Sequence, residues 1–397
     1  MKILTIAPTP FFADRGTHIR ILEEARAQVR RGHAVTIATY HIGATLRDIV
    51  SKKITVRRIH RWLFWYKKLE AGPDWQKILL DILLLRKVLF LALRERPDVL
   101  HAHLHEGVLI GWCVQKILFW RKIILVADMH GSLVNEMASH GYLTHPLIKH
   151  IFTILERWVD NRGDIMVTSS LENKKALEEV RDGTVVVQLD GVDLSYYEPA
   201  QTEEERRFLR ARYGIAPDAV VIVYTGAMVA NKGLRYLLEA IPLVLRQCQH
   251  VHIILAGFPR EHVDAFVAKN NIMQRVHIIA PLPYKDLPII LQMADIGVDP
   301  KDTAVQQASG KILQYMGAGL PVVCFDKENN RMLLGEDGIY ATEISAHGLA
   351  RALVHAVENT SLRHRVGTAL RQRATVFSWD HGAEVFEQSI VAIQSQN

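Results

Sequence analysis

The sequence predicts an α/β protein made of two tandem Rossmann-like units, each a parallel sheet wound with helices. Three observations carry this. Short β-branched or aliphatic runs alternate with longer stretches of helical period along almost the whole chain, as right-handed βαβ crossovers require. The alternation pauses once, at Glu198-Pro199 and the charge-dense Thr202–Arg212, and then resumes. The chain has 397 residues, more than one core usually spans and enough for two domains.

Lys2–Ala7 is a buried-strand pattern, and Thr17–Arg31 after it spaces Ile21, Ala25 and Val29 by four residues, the period of a helix. Gly32 stops that helix, and Ala34–Thr39 is the next strand. Further strands are expected at Ile54–Ile59, Val99–Ala102, Ile123–Ala127, Ile165–Thr168 and Val185–Gln188. Beyond the pause they resume at Val220–Tyr224, His252–Ala256, Val276–Ile279, Ile296–Val298 and Pro321–Phe325. From Ala346 the pattern is helical, with a break near Phe377-Ser378-Trp379 before a last helix. The expected domains are therefore 1–195 and 196–375, with 376–397 as a helix crossing back to the first. Such folds bind ligands beyond the carboxyl ends of their strands, so two units facing each other across a cleft would carry their chemistry in the loops after strands.

Hydrophobic residues make up 49% and charged residues 23%, which excludes disordered, collagen-like and disulfide-rich classes. Cys113, Cys248 and Cys324 are odd in number and far apart, as in a reducing, cytoplasmic compartment. Pro8 and Pro10 interrupt the apolar Ile3–Phe12, and Asp81, Arg86 and Lys87 break Ile78–Leu93, so neither a signal peptide nor a transmembrane helix is expected.

The formal charge of +6 is unevenly spread. Residues 1–195 hold 28 basic against 21 acidic residues, and the remainder 20 against 21. Within Arg57–Leu69, cations alternate with large aromatics, and Phe119-Trp120-Arg121-Lys122 repeats the mixture. Three readings fit: an anionic membrane surface, a solvated basic face, or base stacking on single-stranded nucleic acid. No nucleic-acid fold signature accompanies the cluster, so no nucleic-acid partner is expected. Arg58, Arg61, Trp62, Trp65, Lys67 and Lys68 are assigned to an acceptor or a peripheral anionic membrane.

Several loops combine the residue types that handle phosphate and sugar. The first strand runs into Pro8–Thr17, where Gly16 and Thr17 at a helix start could offer backbone amides to a phosphate or simply form a turn. His101, His103 and His105 alternate through a strand end; a polar rim is favoured over a zinc site, with His103 towards an acceptor. His130 follows the Ile123–Ala127 strand, where a substrate contact and a structural role are equally open. Lys232, in Gly226–Gly233 before a helix, could neutralise a diphosphate or cap the loop. In Asp299–Phe325, Ser309-Gly310 could begin a short helix whose amides face an anion, with Lys311 next and Gln314 one to two turns on where it could reach a ribose, or the segment is a plain helix-to-strand connection.

In order and spacing these segments resemble the retaining glycosyltransferases of family 4, with the two-Rossmann-domain fold called GT-B. The carriers are Gly16, Arg31–Thr36, His130, Gly191-Val192-Asp193, Gly226…Lys232-Gly233, Leu255-Ala256-Gly257, Ala294-Asp295-Ile296 and Ser309…Lys311…Tyr315-Met316…Gly319–Val323. The resemblance covers nearly the whole chain. It implies retaining transfer of a hexosyl or N-acetylhexosaminyl group from a UDP- or GDP-sugar held by the C-terminal domain. The acceptor, lipid-linked or a glycan, would lie on the N-terminal domain at the inner face of the cell membrane, with no metal cofactor. Lys232 would bind the diphosphate and His130 the transferring sugar. Gly16 and Thr17 would add backbone donors, and Gly226, Gly257, Ser309, Gly310 and Lys311 would surround the donor.

Three positions depart from the family pattern. Ala227 stands where an arginine is usual, and Gln306 and Gln314 stand where two glutamates eight apart are usual. Gln306 keeps the catalytic position near the sugar and Gln314 the ribose position. A neutral amide still hydrogen bonds a hydroxyl but forgoes charge assistance, about 1–2 kcal/mol. Arg260, Lys301 and Arg331 are the cations available to replace the arginine. The departures define one rival, a subunit that binds sugar nucleotide without transferring sugar. A fold relative that epimerises the sugar nucleotide itself, with a cleft histidine as base, is a further one.

Overall fold

The computed structural model describes residues 1–13, 16–44, 53–69, 74–139, 142–302 and 309–395. The chain forms two units, Met1–Asp190 together with Trp379–Asn397, and Gly191–Ser378. These boundaries differ from the expected 195 and 375, and two contacts give the reason. Asp190 is held in the first unit by Arg20 at 2.7 Å. Val192 is held in the second, its amide donating to the Phe377 carbonyl at 2.8 Å.

The N-terminal unit holds β1 (Lys2–Ala7), β2 (Ala34–Thr39), β3 (Ile54–Arg58), β4 (Val99–His103), β5 (Ile124–Met129), β6 (Ile165–Thr168) and β7 (Val185–Val187). They form one sheet in the order β3-β2-β1-β4-β5-β6-β7, every pair parallel. Central strands are buried throughout, β5 from Ile124 to Met129, because helices cover both faces of a parallel sheet.

The helix Trp75–Glu95 begins where the Asp74 carboxylate accepts from the Gln76 amide, and ends at Arg96 in left-handed backbone before Pro97. Its Leu80, Leu84, Val88 and Leu91 lie on one stripe and are buried in the core beneath the sheet. The helix Trp379–Gln394 returns to the first helix, Gly16–Arg30. Trp379 and Ala383 cluster with Ala27, and Glu387 pairs with Arg31 at 2.6 Å.

The C-terminal unit holds β8 (Val220–Ala227), β9 (Val251–Phe258), β10 (Val276–Ile279), β11 (Ile296–Asp299), β12 (Val322–Phe325) and β13 (Ile339–Ala341). The order is β10-β9-β8-β11-β12-β13, so β8 and β11 flank the point where the strand order reverses. Arg210 pins the start of both strands. It donates to the carbonyls of Met293 and Ala219 and to Asp295, while Asp295 accepts from the Val221 amide at 2.7 Å.

Candidate functional site

Each unit carries a charged group at the carboxyl ends of its central strands. In the N-terminal unit, His101 and His103 on β4 share a face, their rings 4.3 Å apart. His105 does not join them. It is on the helix Leu104–Ile117 and faces Glu156 at 3.7 Å and Asp160 at 3.6 Å, because the strand ends at His103. The expected three-histidine face is thus a pair.

The first helix brings Arg20 and Glu24, four residues apart and so on one side, against that pair. The Arg20 guanidinium donates to Asp128 at 3.1 Å and Asp190 at 2.7 Å and pairs with Glu24 at 2.9 Å. Burial would raise the Asp128 carboxyl, but Arg20 and the histidines hold it well below the usual range. Glu24 goes the other way. Burial, with Asp128 nearby, pushes it well above.

His130, just past β5, accepts or donates at 3.1 Å with His103. Both rings are buried, and burial lowers both, His130 to about 4. They are neutral imidazoles at pH 7. His103 is fully enclosed, so it supports His130 from within and offers no surface to an acceptor.

Glu24, His101, His103 and Asp128 bring ligand atoms within 4.8 Å of one another, the donor set of a metal site. Arg20, bonded to both carboxylates, already places a cation there.

Gly16 opens the first helix with nothing within 4 Å of where a Cβ would sit. Thr17 beside it is half-buried. Arg61, Trp62, Trp65 and Lys67 are exposed and Lys68 is half-buried. Arg58 is engaged within the fold, donating to the carbonyls of Ile42 at 2.5 Å and Ala44 at 2.7 Å. Its guanidinium closes the loop after β2 and is not displayed to a partner.

In the C-terminal unit, the Ala230–Lys232 turn carries Lys232, and Gly233 follows at φ +73. A Cβ on Gly233 would lie 1.8 Å from the Pro300 carbonyl oxygen, so glycine lets this turn press against the end of β11. Gly257 is required in the same sense, since its Cβ would meet the Gly226 carbonyl at 1.8 Å. It fixes β8 to β9, and Gly226 faces Lys311, whose Nζ is 3.9 Å from the Cβ position.

Lys311, on the helix Gly310–Gly317, lies 3.6 Å from Asp299 and 3.8 Å from the centre of the Tyr224 ring. Its buried Nζ has no hydrogen-bond partner among the described residues. Ser309 precedes that helix without a side-chain capping bond, and Gln314 is half-buried three residues beyond Lys311.

Lys301, also buried, completes the group. Burial first, and then Lys232, push its amine down to about 7, with Lys311 and Lys327 adding to the effect. Lys232, Lys311 and Lys327 thus stand close enough to Lys301 to disfavour its charge, the kind of like-charge grouping that marks a functional-site candidate.

The position of Ala227 holds no cation; its carbonyl accepts from the Tyr224 hydroxyl. Of the proposed replacements, Arg260 is exposed and tied to Asp264 at 2.6 Å, and Arg331 is tied to Asp326 at 2.6 Å. Lys301 alone of the three stands inside the lysine group. Gln306 lies outside the described residues. The sequence did not point to Arg20, Glu24 or Asp299. The only signal for the first two was a pair of charges at four-residue spacing on a buried helix face.

A model of Glycosyltransferase Family 4 matches residues 15–196, and one of Glycosyl transferases group 1 matches residues 219–359. Among similar proteins is a D-inositol 3-phosphate glycosyltransferase of Corynebacterium diphtheriae, 26% identical over 94% of this chain and 88% of its own. An alpha-D-kanosaminyltransferase of Streptomyces kanamyceticus is 23% identical over 59% of this chain and 63% of its own. Among solved structures, the sucrose-phosphate synthase of Thermosynechococcus elongatus superposes with a TM-score of 0.81 at 16% identity, covering 100% of both chains. Anabaena HepE in complex with UDP-glucose gives 0.75 at 18% identity, again over 100% of both. Matched by family models in both halves and sharing the two-Rossmann-unit GT-B fold, the chain belongs to glycosyltransferase family 4.

Proposed function

We propose that this glycosyltransferase is a retaining enzyme. In this reading it moves a hexosyl or N-acetylhexosaminyl group from a UDP- or GDP-sugar to a lipid-linked or glycan acceptor at the cytoplasmic face of a membrane. The observation that carries the reading is the lysine group of the C-terminal unit. The Lys311 Nζ is buried without a hydrogen-bond partner among the described residues, beside a Lys301 whose amine is pushed down by burial and by Lys232. Relatives are named for sugar transfer, and the fold neighbour HepE was solved with UDP-glucose.

In such a site the bond between the anomeric carbon and the diphosphate oxygen breaks and negative charge accumulates on the leaving diphosphate. Ammonium groups fixed in a partly dry pocket stabilise that charge without reorganising, which is the usual large electrostatic contribution to catalysis. Lys232 and Lys311 supply the charge, Lys301 substitutes for the arginine that Ala227 lacks, and a metal ion is not needed. His130, kept neutral by burial, contacts the transferring sugar as an uncharged hydrogen-bonding ring. The N-terminal unit, with its basic balance, takes the acceptor.

A thermal-shift panel of UDP- and GDP-sugars, followed by an assay of nucleoside diphosphate release, tests the reading. One donor should stabilise the protein, and Lys232→Ala should cut release by at least ~100-fold, the effect of losing one fixed transition-state donor. Stabilisation by no donor would overturn the reading. Stabilisation without release in the presence of any acceptor would favour the non-catalytic subunit.

A further inference from the structure

The helix Pro146–Asp160 is attached to the N-terminal unit the wrong way round for a soluble domain. Its acids face inward. Glu156 accepts from the Leu133 amide at 2.6 Å, and Glu156 and Asp160 flank His105 at 3.7 and 3.6 Å. Its apolar stripe faces outward. Leu147, Ile148, Ile151, Ile154 and Leu155 recur at the spacing of a core-facing helix, yet Ile151 is 54% and Ile154 57% exposed. The cations on this helix, Lys149 and Arg157, are exposed with the stripe.

Neighbouring elements extend the same face. The helix Leu104–Ile117 packs against both Pro146–Asp160 and Trp75–Glu95, with Trp112 and Trp158 rings 5.2 Å apart. Arg121 donates to the Ala92 carbonyl at 2.9 Å, which fixes the Phe119–Arg121 turn beside the end of Trp75–Glu95. On this layer Trp75 is 69%, Ile78 64%, Phe119 75% and Trp120 60% exposed. Large apolar residues exposed together over several elements mark an interaction surface, unlike singly scattered ones. Among the described residues no helix is long and apolar enough to cross a membrane.

We propose that this helical layer is a monotopic membrane-docking face, with Pro146–Asp160 lying in the headgroup region of an anionic bilayer. The charge pattern selects a lipid surface over a second copy of the chain. Lys149 and Arg157 are exposed beside the apolar stripe while its own acids are turned inward, as interfacial helices on anionic lipid require. Protein interfaces instead are depleted in lysine. The face deepens the lipid-linked reading above and rests on it for its purpose, but its test needs no transfer.

The full chain is floated with vesicles of phosphatidylcholine alone or with phosphatidylglycerol, at low salt. It should bind the mixed vesicles. Ile151→Glu/Ile154→Glu should lower the bound-to-free ratio about tenfold or more, as a loss of 1.4 kcal/mol or above gives, with the melting shift by donor unchanged. In the unaltered chain, bromine-labelled lipid should quench the fluorescence of the exposed tryptophans. This second readout stands even where the variant folds poorly. Equal flotation of parent and variant, or no quenching, would overturn the proposal. So would a dimer in solution that the double variant converts to monomer, which would assign the face to a second copy. Flotation without any sugar transfer would sink the functional reading and leave the docking face standing.

Discussion

The Lys311 ammonium lies 3.6 Å from the Asp299 carboxylate, and the two make a buried ion pair in which neither charged group is hydrogen bonded among the described residues. A buried pair whose donors and acceptors go unused is a poor stabiliser. Its value is that Lys311, lodged on the Tyr224 ring, keeps free protons for an arriving anion. Lys311→Met should therefore raise the dissociation constant of the nucleoside diphosphate by at least tenfold, equivalent to about 1.4 kcal/mol. Calorimetric titration measures this, and an unchanged constant would remove Lys311 from the donor site.

Lys301 makes a prediction in pH. Its amine in the folded chain sits at about 7, below the ordinary 10.5. Between those values the unfolded state binds the extra proton, so stability is fully present above about pH 10.5 and declines as pH falls through 7. Lys301→Met should stabilise the free protein at pH 7 by at least about 1 kcal/mol, the worth of less than one pKa unit, and by less at pH 9. A bound diphosphate favours the ammonium, so parent affinity should weaken as pH rises above 7, while Lys301→Arg should bind with little dependence on pH. Melting curves at the two pH values and titrations in the same buffers check both halves. Destabilisation by Lys301→Met at pH 7 would show that the amine is not held against its preference.

Arg20 reaches Glu24, Asp128 and Asp190 together, a cation shared by three carboxylates. Removing one partner of a buried ionic group leaves uncompensated charge and costs about 3–5 kcal/mol. Arg20→Met should cost that much in urea unfolding of the whole chain. Arg20→Lys should recover little, since a single ammonium cannot replace a fork reaching three carboxylates. A loss below about 1 kcal/mol would mean that the cluster discharges by protonation instead.

The sequence was most informative where burial is uniform. β1, β2, β6 and β10 begin and end at the residues their apolar runs mark. For β1 and β6 the reason is that a strand covered on both faces is apolar along its length, whereas the edge strand β10, half-buried beyond Val276, shows through its β-branched residues. β13 is three residues, Ile339–Ala341, too short to show a period, and it was not expected. His105 was placed with His101 and His103 because alternation looks the same whether the strand continues or a helix begins. The Arg20–Glu24–Asp128–Asp190 group was hidden for a different reason. Its members are up to 170 residues apart, and only the β4–β5 pairing and the returning chain bring them together. The stripe of Pro146–Asp160 was not singled out in the sequence, and its spacing would serve a core and a membrane alike. Which way it points is set by Glu156 and Asp160 binding inward.

The division of the chain gives a last prediction. The helix Trp379–Gln394 belongs with the N-terminal unit, where Trp379, Ala383, Phe386 and Ile390 are buried and the His101 ring lies 4.7 Å from Phe386. Without it, the histidine pair and the outer side of the first helix would face water. Burying one large apolar side chain contributes about 1.5–3 kcal/mol, so losing several exceeds a typical domain's margin. Residues 1–190 expressed alone should therefore be insoluble or lack a cooperative melt, whereas the same residues joined by a flexible linker to 379–397 should fold. Gly191–Ser378, with its own sheet and the Arg210–Asp295 anchor, should melt cooperatively alone and still be stabilised by the nucleoside diphosphate. Calorimetry and the thermal-shift assay distinguish these outcomes. A cooperative melt of residues 1–190 without the helix would show that the returning segment is an accessory to that core and not part of it.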